Sequence, residues 1–313
     1  MPSGRFAPSP TGRLHLGNLR TAVVAWLLAR ADQSRFMVRF DDLDTGAVRS
    51  QHYETQLADL EAIGLDWDAP PVRQSDRLDL YRVAVKKLVD EDRVYPCWCS
   101  RKEIRQAAQA PNHPLAGHEY PGTCRDLGRS ERERRQHLLG RPPALRLRTE
   151  PAFRMVEVFD QVCGPTRVEV DDFVVCRNDA TPAYHLVTVI DDSDMGVELV
   201  VRGDDLLDST ARHMLVAEAL GLDPIPHAHI PLVLNGEQRR LAKRDGAVTL
   251  PDRQALGETP SQVFSFLAAS LGLCRYGTQV SPQDLASSWS IPDILAALPS
   301  QPLVFTDLSP HQL

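Results

Sequence analysis

The first 42 residues constrain the fold most, because they read as a strand, a loop, a helix and a second strand. In the helix, apolar residues recur about every 3.6 positions, and the second strand, RFMVRFDD, alternates its two faces. Such a βαβ unit is the core of a parallel doubly wound sheet, where ligands bind beyond the carboxyl ends of the strands. We therefore expect four side chains to converge at that edge, Arg5, Ser9, His15 and Asp41.

The rest of the chain extends this α/β pattern with one long interruption. A length of 313 residues suits one large α/β unit or two smaller domains. After the interruption the pattern resumes with two predicted strands, AYHLVTVIDD and VELVVRGDD. We predict an α/β domain in two halves, residues 1–94 and 176–238, with an insertion over residues 95–175 and a basic loop with short helices over residues 239–313.

Charge is spread unevenly along the chain. Lys and Arg number 35 against 42 Asp and Glu, a formal charge of -7 that at first argues against a nucleic-acid partner. Residues 125–154, however, hold nine arginines against four acidic residues. Their segment SERERRQH fits an RNA-phosphate contact and a solvated helix held by ion pairs equally well. Since no apolar run nears the roughly 20 residues of a membrane span and the start lacks a secretory pattern, we expect a cytoplasmic protein without a membrane partner.

The loop PSPTGRLHLGN leads into the first helix, where backbone N–H groups and the helix dipole favour a phosphate. Spacing alone fits a Pro/Gly turn capped by Asn18 equally well. The longer stretch RFAPSPTGRLHLGNLRTA resembles the opening of class I glutamyl-tRNA synthetases, with HLGN in place of their HIGH signature. The resemblance implies a Rossmann-like catalytic domain that uses ATP with Mg²⁺, and His15 as a catalytic residue. The ATP-binding residues it implies here are His15, Leu16, Gly17 and Asn18.

The segments RFDDLD, PAYHLVTVIDD and LVVRGDDLLDST resemble the glutamate pocket of the same family. By that resemblance Asp41, in place of the usual Glu, holds the ammonium of L-glutamate, and Arg5 holds a carboxylate. Tyr184 and Arg202 then contact the side-chain carboxylate. The ordinary alternatives are solvated ion pairs at a strand end, a core tyrosine, and an arginine that neutralises its acidic neighbours. The full implied set is Arg5, Phe6, Ala7, Pro8, Ser9, Asp41, Tyr184 and Arg202.

The loop RRLAKRDG, residues 239–246, occupies the place of the family's KMSKS signature, which closes over ATP. Lys243 is the matching lysine and an implied catalytic residue, whereas Arg240 replaces the first lysine and Ala242 the usual serine. A charged, solvated loop is the ordinary explanation for such a run. The implied ATP-binding residues are Arg240, Leu241, Ala242, Lys243 and Arg244.

Three of the six cysteines cluster in sequence, at Cys97, Cys99 and Cys124. A structural zinc ion needs four ligands, and His113 and His118 are the conventional candidates for the fourth. The segment CWCSRKEIRQ with EYPGTCR resembles the insertion of glutamyl-Q tRNA(Asp) synthetases, which implies Tyr120 as that ligand. Three reduced thiols packed in a small subdomain remain the alternative. We expect the other three, Cys163, Cys176 and Cys274, to be small buried residues.

Only 69 residues follow Arg244, too few for the helical anticodon-binding domain of a full-length glutamyl-tRNA synthetase. The resemblance therefore points to the glutamyl-Q branch without that domain. It implies tRNA-independent activation of glutamate by ATP, transfer to queuosine at the wobble position of tRNA(Asp), and a monomer. Two alternatives remain open, a HIGH-type nucleotidyltransferase with a small-molecule substrate and a non-catalytic tRNA-binding paralogue.

Overall fold

A computed structural model describes residues 3–108, 120–241 and 248–305. The strands are β1 (Ser3–Phe6), β2 (Arg35–Phe40), β3 (Val72–Arg73), β4 (Val94–Cys97), β5 (Ala144–Leu147), β6 (Arg154–Asp160), β7 (Gly164–Val170), β8 (Val174–Cys176), β9 (Val200–Gly203), β10 (His227–Ile230), β11 (Val233–Leu234) and β12 (Leu303–Val304). The helices are α1 (Leu16–Ala31), α2 (Gln51–Ala62), α3 (Leu78–Asp90), α4 (Arg101–Ala108), α5 (Arg129–Leu139), α6 (Tyr184–Asp194), α7 (Leu207–Leu220), α8 (Leu250–Ala255), α9 (Pro260–Ser270), α10 (Pro282–Ser288) and α11 (Ile291–Ala297). Among the helices within these ranges, none is both long and apolar enough to cross a lipid bilayer.

The predicted βαβ unit is present at the N-terminus. β1 and β2 run parallel with Ser3 opposite Arg35, and β3 extends the sheet in parallel beyond β2. α1 packs tightly on β1 because Gly4 has no side chain; a Cβ there would lie 2.9 Å from the Cβ of Ala29. α1 is buried along most of its length, so it is a core helix with packed neighbours on several sides.

A second parallel run of strands meets this unit at β1. β9 pairs in parallel with β10, which pairs with β6 where His227 lies opposite Asp160. Backbone hydrogen bonds from Ser3 to Gly196 and from Glu198 back to Ser3 bring the segment before β9 against β1. The chain thus runs outward from β1 through β2 to β3 on one side and through β9 and β10 on the other. This reversal is the switch point at which doubly wound sheets bind ligands.

The segment 184–194 corrects one prediction, because AYHLVTVIDD forms helix α6 and not a strand. Its β-branched residues favour a strand, and a short apolar run cannot be assigned by periodicity alone. The helix is buried from Leu186 to Asp192, so tertiary packing outweighs the local preference. The second predicted strand, VELVVRGDD, contains β9 as expected.

Residues 95–176 contain an antiparallel sheet in the order β4, β5, β8 and a hairpin of β6 with β7. A small separate core there includes Tyr95, Trp98 and the three clustered cysteines. Of the other cysteines, Cys176 is buried as expected and Cys274 is partly buried. Cys163 is exposed, which contradicts the prediction, because it follows β6 in a hairpin turn at the surface.

The C-terminal part forms short helices, as predicted for the region after the basic loop. α8, α9 and α10 each begin with a capping box, at Thr249, Thr259 and Ser281, and each has proline in its first turn. α9, α10 and α11 contribute to the core that contains α1. β12 then pairs in parallel with β11, so the end of the described chain returns to the sheet near α1.

Candidate active site

A cavity of about 820 Å³ opens at the carboxyl ends of β1, β2, β9 and β10. The predicted residues that line it are Arg5, Phe6, Ala7, Pro8, Ser9, His15, Gly17, Asn18, Asp41, Tyr184, Arg202, Arg240 and Leu241. Leu16 instead packs into the core at the start of α1. Ala242, Lys243 and Arg244 lie outside the described residues. One cavity therefore gathers predicted residues from three separate parts of the chain, residues 5–41, 184–202 and 240–241.

His15 begins α1 as its N-cap, and Asn18 closes a capping box with it. The Asn18 backbone N–H donates to His15 Nδ1 at 3.2 Å, and the His15 N–H donates to Asn18 Oδ1 at 3.1 Å. Burial, with the nearby charge of Arg240, lowers the pKa of His15 to about 4. The imidazole is therefore neutral near pH 7, and because Nδ1 is an acceptor its proton is on Nε2. His15 thus offers one N–H donor and no charge.

Both ends of the basic loop are anchored beside His15. The Leu241 N–H donates to the carbonyl of Val233, and the Leu16 N–H donates to the carbonyl of Val248. Arg240 lies on the cavity wall and is paired with Asp205 at 2.7 Å. Residues 242–247 between these anchors are not described. The described flanks alone place the loop's two ends at the N-terminus of α1.

Arg5 is held by Asp192 behind the cavity wall. Its Nε and Nη2 donate to Asp192 at 3.0 and 3.1 Å, and its Nη1 donates to the carbonyl of Val201 at 2.9 Å. Three of its five N–H groups are thereby used, and two remain for other acceptors. Arg5 is therefore a fixed, buried cation on the wall.

Arg39 links Asp41 to the same carboxylate. It is fully buried, its Nε donates to Asp41 at 2.8 Å, and its Nη1 donates to Asp192 at 2.6 Å. Burial outweighs this pairing and raises the pKa of Asp41. Asp192 is opposed by both arginines, and their charges and hydrogen bonds outweigh burial and lower its pKa. The alternative of solvated ion pairs at the strand end is wrong, because Arg5, Arg39 and Asp42 are almost completely buried.

Arg202 is buried among uncharged partners. Its Nε donates to His229 at 3.0 Å, and its Nη1 donates to Tyr184 at 3.3 Å and faces His213 Nδ1 at 3.2 Å. Its Nη2 donates to the Leu206 carbonyl at 3.0 Å and to Thr210 at 2.8 Å. These five neutral contacts match the five N–H groups of a guanidinium. Burial lowers the pKa of Arg202.

This arrangement contradicts the alternative in which Arg202 neutralises its acidic sequence neighbours. Within the described ranges, no carboxylate is paired with its guanidinium. A buried cation without a counter-charge is costly, and an incoming carboxylate would relieve that cost. Tyr184, which is partly exposed on α6, is the one of its partners with the longest hydrogen bond. Sequence analysis predicted a core tyrosine on a strand as the alternative; the residue instead lines the cavity from a helix.

His229 is paired with Asp160 behind Arg202. The His229 Nδ1–H donates to Asp160 Oδ2 at 2.6 Å, and Asp160 Oδ1 accepts the backbone N–H groups of Val162, Cys163 and His229. Burial opposes ionisation, but the hydrogen bonds from His229 and from these amides hold the pKa of Asp160 at about 2. Sequence analysis missed this pair, since the two residues are far apart in the chain and belong to no recognised motif.

Thr188 and Gln56 are among the cavity residues that the sequence did not predict. Thr188 is buried on α6, and its Oγ1 has no partner among the described atoms. It lies one helical turn after Tyr184, a spacing that would have revealed it had the segment been predicted as a helix. Gln56 on α2 donates to the carbonyls of Ser9 and Gly12 and so fixes the loop that lines the cavity.

The clustered cysteines converge in the insertion. The sulfur atoms of Cys97, Cys99 and Cys124 lie within 4.8 Å of one another. The hydroxyl of Tyr120 lies 3.4 Å from Cys97 Sγ and accepts the Cys124 N–H at 2.7 Å. Three thiol groups and a phenol oxygen in one buried cluster are a donor set that suits zinc. His113 and His118 lie outside the described residues.

Two arginines donate hydrogen bonds to these sulfur atoms. Arg146 Nε donates to Cys97 Sγ at 3.3 Å, and its guanidinium lies 3.7 Å from the centre of the Tyr120 ring. Arg135 Nη1 donates to Cys124 Sγ at 3.5 Å. Hydrogen bonds from the other two cysteines, together with the charge of Arg146, lower the pKa of the Cys97 thiol. Cys97 therefore favours the thiolate, the form in which cysteine binds a metal, whereas hydrogen bonds with the other two cysteines raise the pKa of Cys99.

The chain is similar to known proteins over most of its length. The family described as tRNA synthetases class I (E and Q), catalytic domain, matches residues 3–281. A protein of Nocardia farcinica named glutamyl-Q tRNA(Asp) synthetase is 51% identical over 97% of the chain and 93% of its own length. One of the same name from Symbiobacterium thermophilum is 43% identical over 96% and 94%. A glutamate tRNA ligase structure from Elizabethkingia meningosepticum has a TM-score of 0.82 and 27% identity over 98% of the chain and 67% of its own.

Proposed function

The chain belongs to the class I glutamyl- and glutaminyl-tRNA synthetase family, and on that premise we propose that it activates L-glutamate with ATP and transfers it to queuosine in tRNA(Asp). Membership makes it a ligase of the synthetase type; the tRNA and its modified base follow from the names of its relatives. The observation that carries the amino-acid part is Arg202, a buried cation on the cavity wall whose partners are all uncharged.

The charges on the wall match those of glutamate. Asp41 binds the ammonium, and Arg5 and Arg202 each bind a carboxylate. Two cations and one anion of the protein thus face the two carboxylates and one ammonium of glutamate. Arg5 has N–H groups beyond those held by Asp192 and Val201. At Arg202 the substrate side chain displaces the long hydrogen bond to Tyr184, whose hydroxyl then donates to the same carboxylate. Glutamine, without the second charge, leaves the Arg202 cation uncompensated.

Activation takes place at the N-terminus of α1. An oxygen of the glutamate α-carboxylate attacks the α-phosphorus of ATP, the bond to the β-phosphate oxygen breaks, and glutamyl-adenylate and pyrophosphate form. His15 donates its Nε2–H to the phosphate oxygens on which charge develops, and Lys243 in the basic loop stabilises the departing pyrophosphate. Mg²⁺ bound to ATP would supply further charge neutralisation. A hydroxyl of the queuosine cyclopentenediol then attacks the activated carbonyl and releases AMP, so no enzyme nucleophile is needed.

The insertion holds one structural zinc ion in this proposal. Cys97, Cys99 and Cys124 supply three thiolates and Tyr120 a phenol oxygen, and the bound ion would cross-link the chain on both sides of residues 109–119. Purified protein should contain about one equivalent of zinc, and Cys97→Ser should lower that content at least severalfold. Cys163→Ser, at the exposed cysteine outside the cluster, is the matched control. Equal zinc content in the two variants, or no zinc in the parent protein, would refute the site.

Pyrophosphate exchange tests the amino-acid activation directly. Glutamate should support exchange of labelled pyrophosphate into ATP without tRNA, while glutamine and aspartate should not. Lys243→Ala should abolish that exchange if the basic loop acts on ATP. No glutamate-dependent exchange would favour the nucleotidyltransferase alternative, and an active Lys243→Ala protein would exclude the role of the loop.

The acceptor is tested by transfer. Labelled glutamate should become attached to tRNA(Asp) that carries queuosine and not to the same tRNA without it. Equal labelling of both would indicate ordinary aminoacylation at the 3′ end. Exchange activity without any transfer would remove the tRNA from the proposal while leaving amino-acid activation in place.

A further inference from the structure

The orientation of Arg202 depends on a histidine that does not line the cavity. Nε of Arg202 donates to Nε2 of His229 at 3.0 Å, and both residues are buried. Because an arginine can only donate, Nε2 must be the unprotonated nitrogen of the ring. The hydrogen bond therefore exists in only one of the two neutral forms of His229.

Asp160 selects that form. Its Oδ2 accepts the Nδ1–H of His229 at 2.6 Å, which fixes the ring proton on Nδ1. Its Oδ1 is already held by three backbone N–H groups, from Val162, Cys163 and His229, so the carboxylate cannot turn. The sequence of contacts runs from the backbone through Asp160 and His229 to Arg202.

We propose that Asp160 and His229 are positioning residues that hold the Arg202 guanidinium, through the protonation pattern of the imidazole, in the orientation that binds the substrate side-chain carboxylate. This inference rests on the proposed function, since it takes glutamate as the ligand of Arg202. The pair thus contributes to amino-acid recognition through Arg202, and neither residue contacts the substrate. His229 fixes the Nε side of the guanidinium, while Tyr184 occupies the side that opens to the cavity.

A purely structural role is the competing explanation. Asp160 ends β6 and lies opposite His227 on β10, so the pair also joins the hairpin to the parallel sheet. Loss of that junction would destabilise the protein and affect both substrates alike. Loss of the Arg202 contact would raise the KM for glutamate and leave the KM for ATP unchanged. The two explanations therefore predict different ratios of the KM for glutamate to the KM for ATP.

Asp160→Asn separates them with little change of shape. The asparagine carbonyl can still accept the three backbone N–H groups, but its amide N–H then faces Nδ1 of His229. The ring proton must move to Nε2, where it points at Nε of Arg202, donor against donor. In glutamate-dependent pyrophosphate exchange we expect the KM for glutamate to rise about 10- to 100-fold, the range for one hydrogen bond to a charged group. The KM for ATP and kcat should stay within about threefold.

A second substitution shows whether the imidazole carries the effect. Gln places an acceptor oxygen near the position of Nε2 and has no nitrogen whose protonation Asp160 could set. Asp160→Asn introduced into a His229→Gln protein should therefore change the KM for glutamate less than about threefold, relative to His229→Gln alone. Glu157→Gln, an exposed residue on the same strand, is the control that should leave both KM values unchanged.

The outcomes are distinct. An unchanged KM for glutamate in Asp160→Asn, a parallel rise in the KM for ATP, or the same rise in the His229→Gln background would overturn the proposal. If Asp160→Asn does not fold, His229→Asn is tested instead, because the shorter asparagine amide cannot reach Arg202. The KM of His229→Asn for glutamate should exceed that of His229→Gln at least tenfold. Equal KM values for the two variants would overturn the proposal. If the parent protein shows no exchange with glutamate, the proposed function fails, while ¹⁵N NMR of the His229 ring still tests the protonation pattern: a proton on Nδ1 supports it and one on Nε2 refutes it.

Discussion

Asp192→Asn is the substitution whose effect the structure defines best. Asp192 is 3% exposed and is the shared acceptor of two buried arginines, Arg5 and Arg39. Asparagine keeps the shape and one acceptor oxygen but removes the negative charge from between two cations. Removal of one partner of a buried ion pair costs about 3–5 kcal/mol, because the remaining charge is left uncompensated. We expect a loss of unfolding free energy in that range.

Asp194→Asn is a matched control on the same helix. Asp194 lies two residues further along α6 and also accepts a short hydrogen bond, from Arg77 at 2.5 Å, but it is 54% exposed. Exposed ion pairs contribute about 0–1 kcal/mol, so this variant should lose less than about 1 kcal/mol. Both substitutions remove one charge and replace one oxygen by nitrogen. The difference between them therefore reports burial together with the second arginine that Asp192 holds.

Thermal unfolding and urea titration measure the comparison. At about 2 °C per kcal/mol for a chain of this size, Asp192→Asn should lower Tm by roughly 6–10 °C and Asp194→Asn by about 2 °C or less. The Asp192→Asn protein should also have a higher KM for glutamate, because Arg5 loses its anchor. If the two variants lose equal stability, or if Asp192→Asn loses less than about 1 kcal/mol, the reasoning from burial is wrong.

Two further predictions concern the helix start and the buried histidines. In Gly17→Ala, the new Cβ would lie 3.0 Å from the His15 ring; exchange activity should fall about tenfold while Tm is unchanged or higher, since Ala favours a helix. Burial lowers the pKa of His227 to about 3, so only the unfolded chain takes up this proton as the pH falls below about 6.5. Between about pH 7.5 and about pH 5, the free energy of unfolding from urea titrations should therefore fall by about 2 kcal/mol more in the parent protein than in His227→Gln. Equal decreases in the two proteins would contradict the lowered pKa of His227.

The sequence was sufficient for the elements whose pattern is local. The βαβ unit was predicted because a helical period followed by an alternating strand is visible without knowledge of the rest of the chain. Helix α6 was not predicted, because its short apolar run, rich in β-branched residues, indicates a buried element but does not distinguish a helix from a strand. The error also hid Thr188, whose relation to Tyr184 depends on helical spacing.

The candidate site also has a part that the sequence predicts and a part that it does not. Convergence of Arg5, His15 and Asp41 follows from parallel strands ending at one edge, so it could be predicted. The partners of Arg5 and Arg202 could not, since they come from strands and helices whose contacts are set by tertiary packing. The closeness of Tyr120 to Cys97 could not be predicted from spacing, and only the resemblance to a known insertion placed Tyr120 with the cysteines.

The pairing of β11 with β12 has a consequence for how the protein is made. β11 precedes the basic loop, and its neighbour Leu303–Val304 lies about 70 residues later in the chain. Phe305 adds a further hydrogen bond, from its N–H to the carbonyl of Leu234. During synthesis the ribosome must therefore release nearly all of the described chain before this wall of the cavity gains its last strand. The part of the cavity around Arg5 and Arg202, whose contacts reach no further along the chain than His229, can therefore form earlier than the part beside β11.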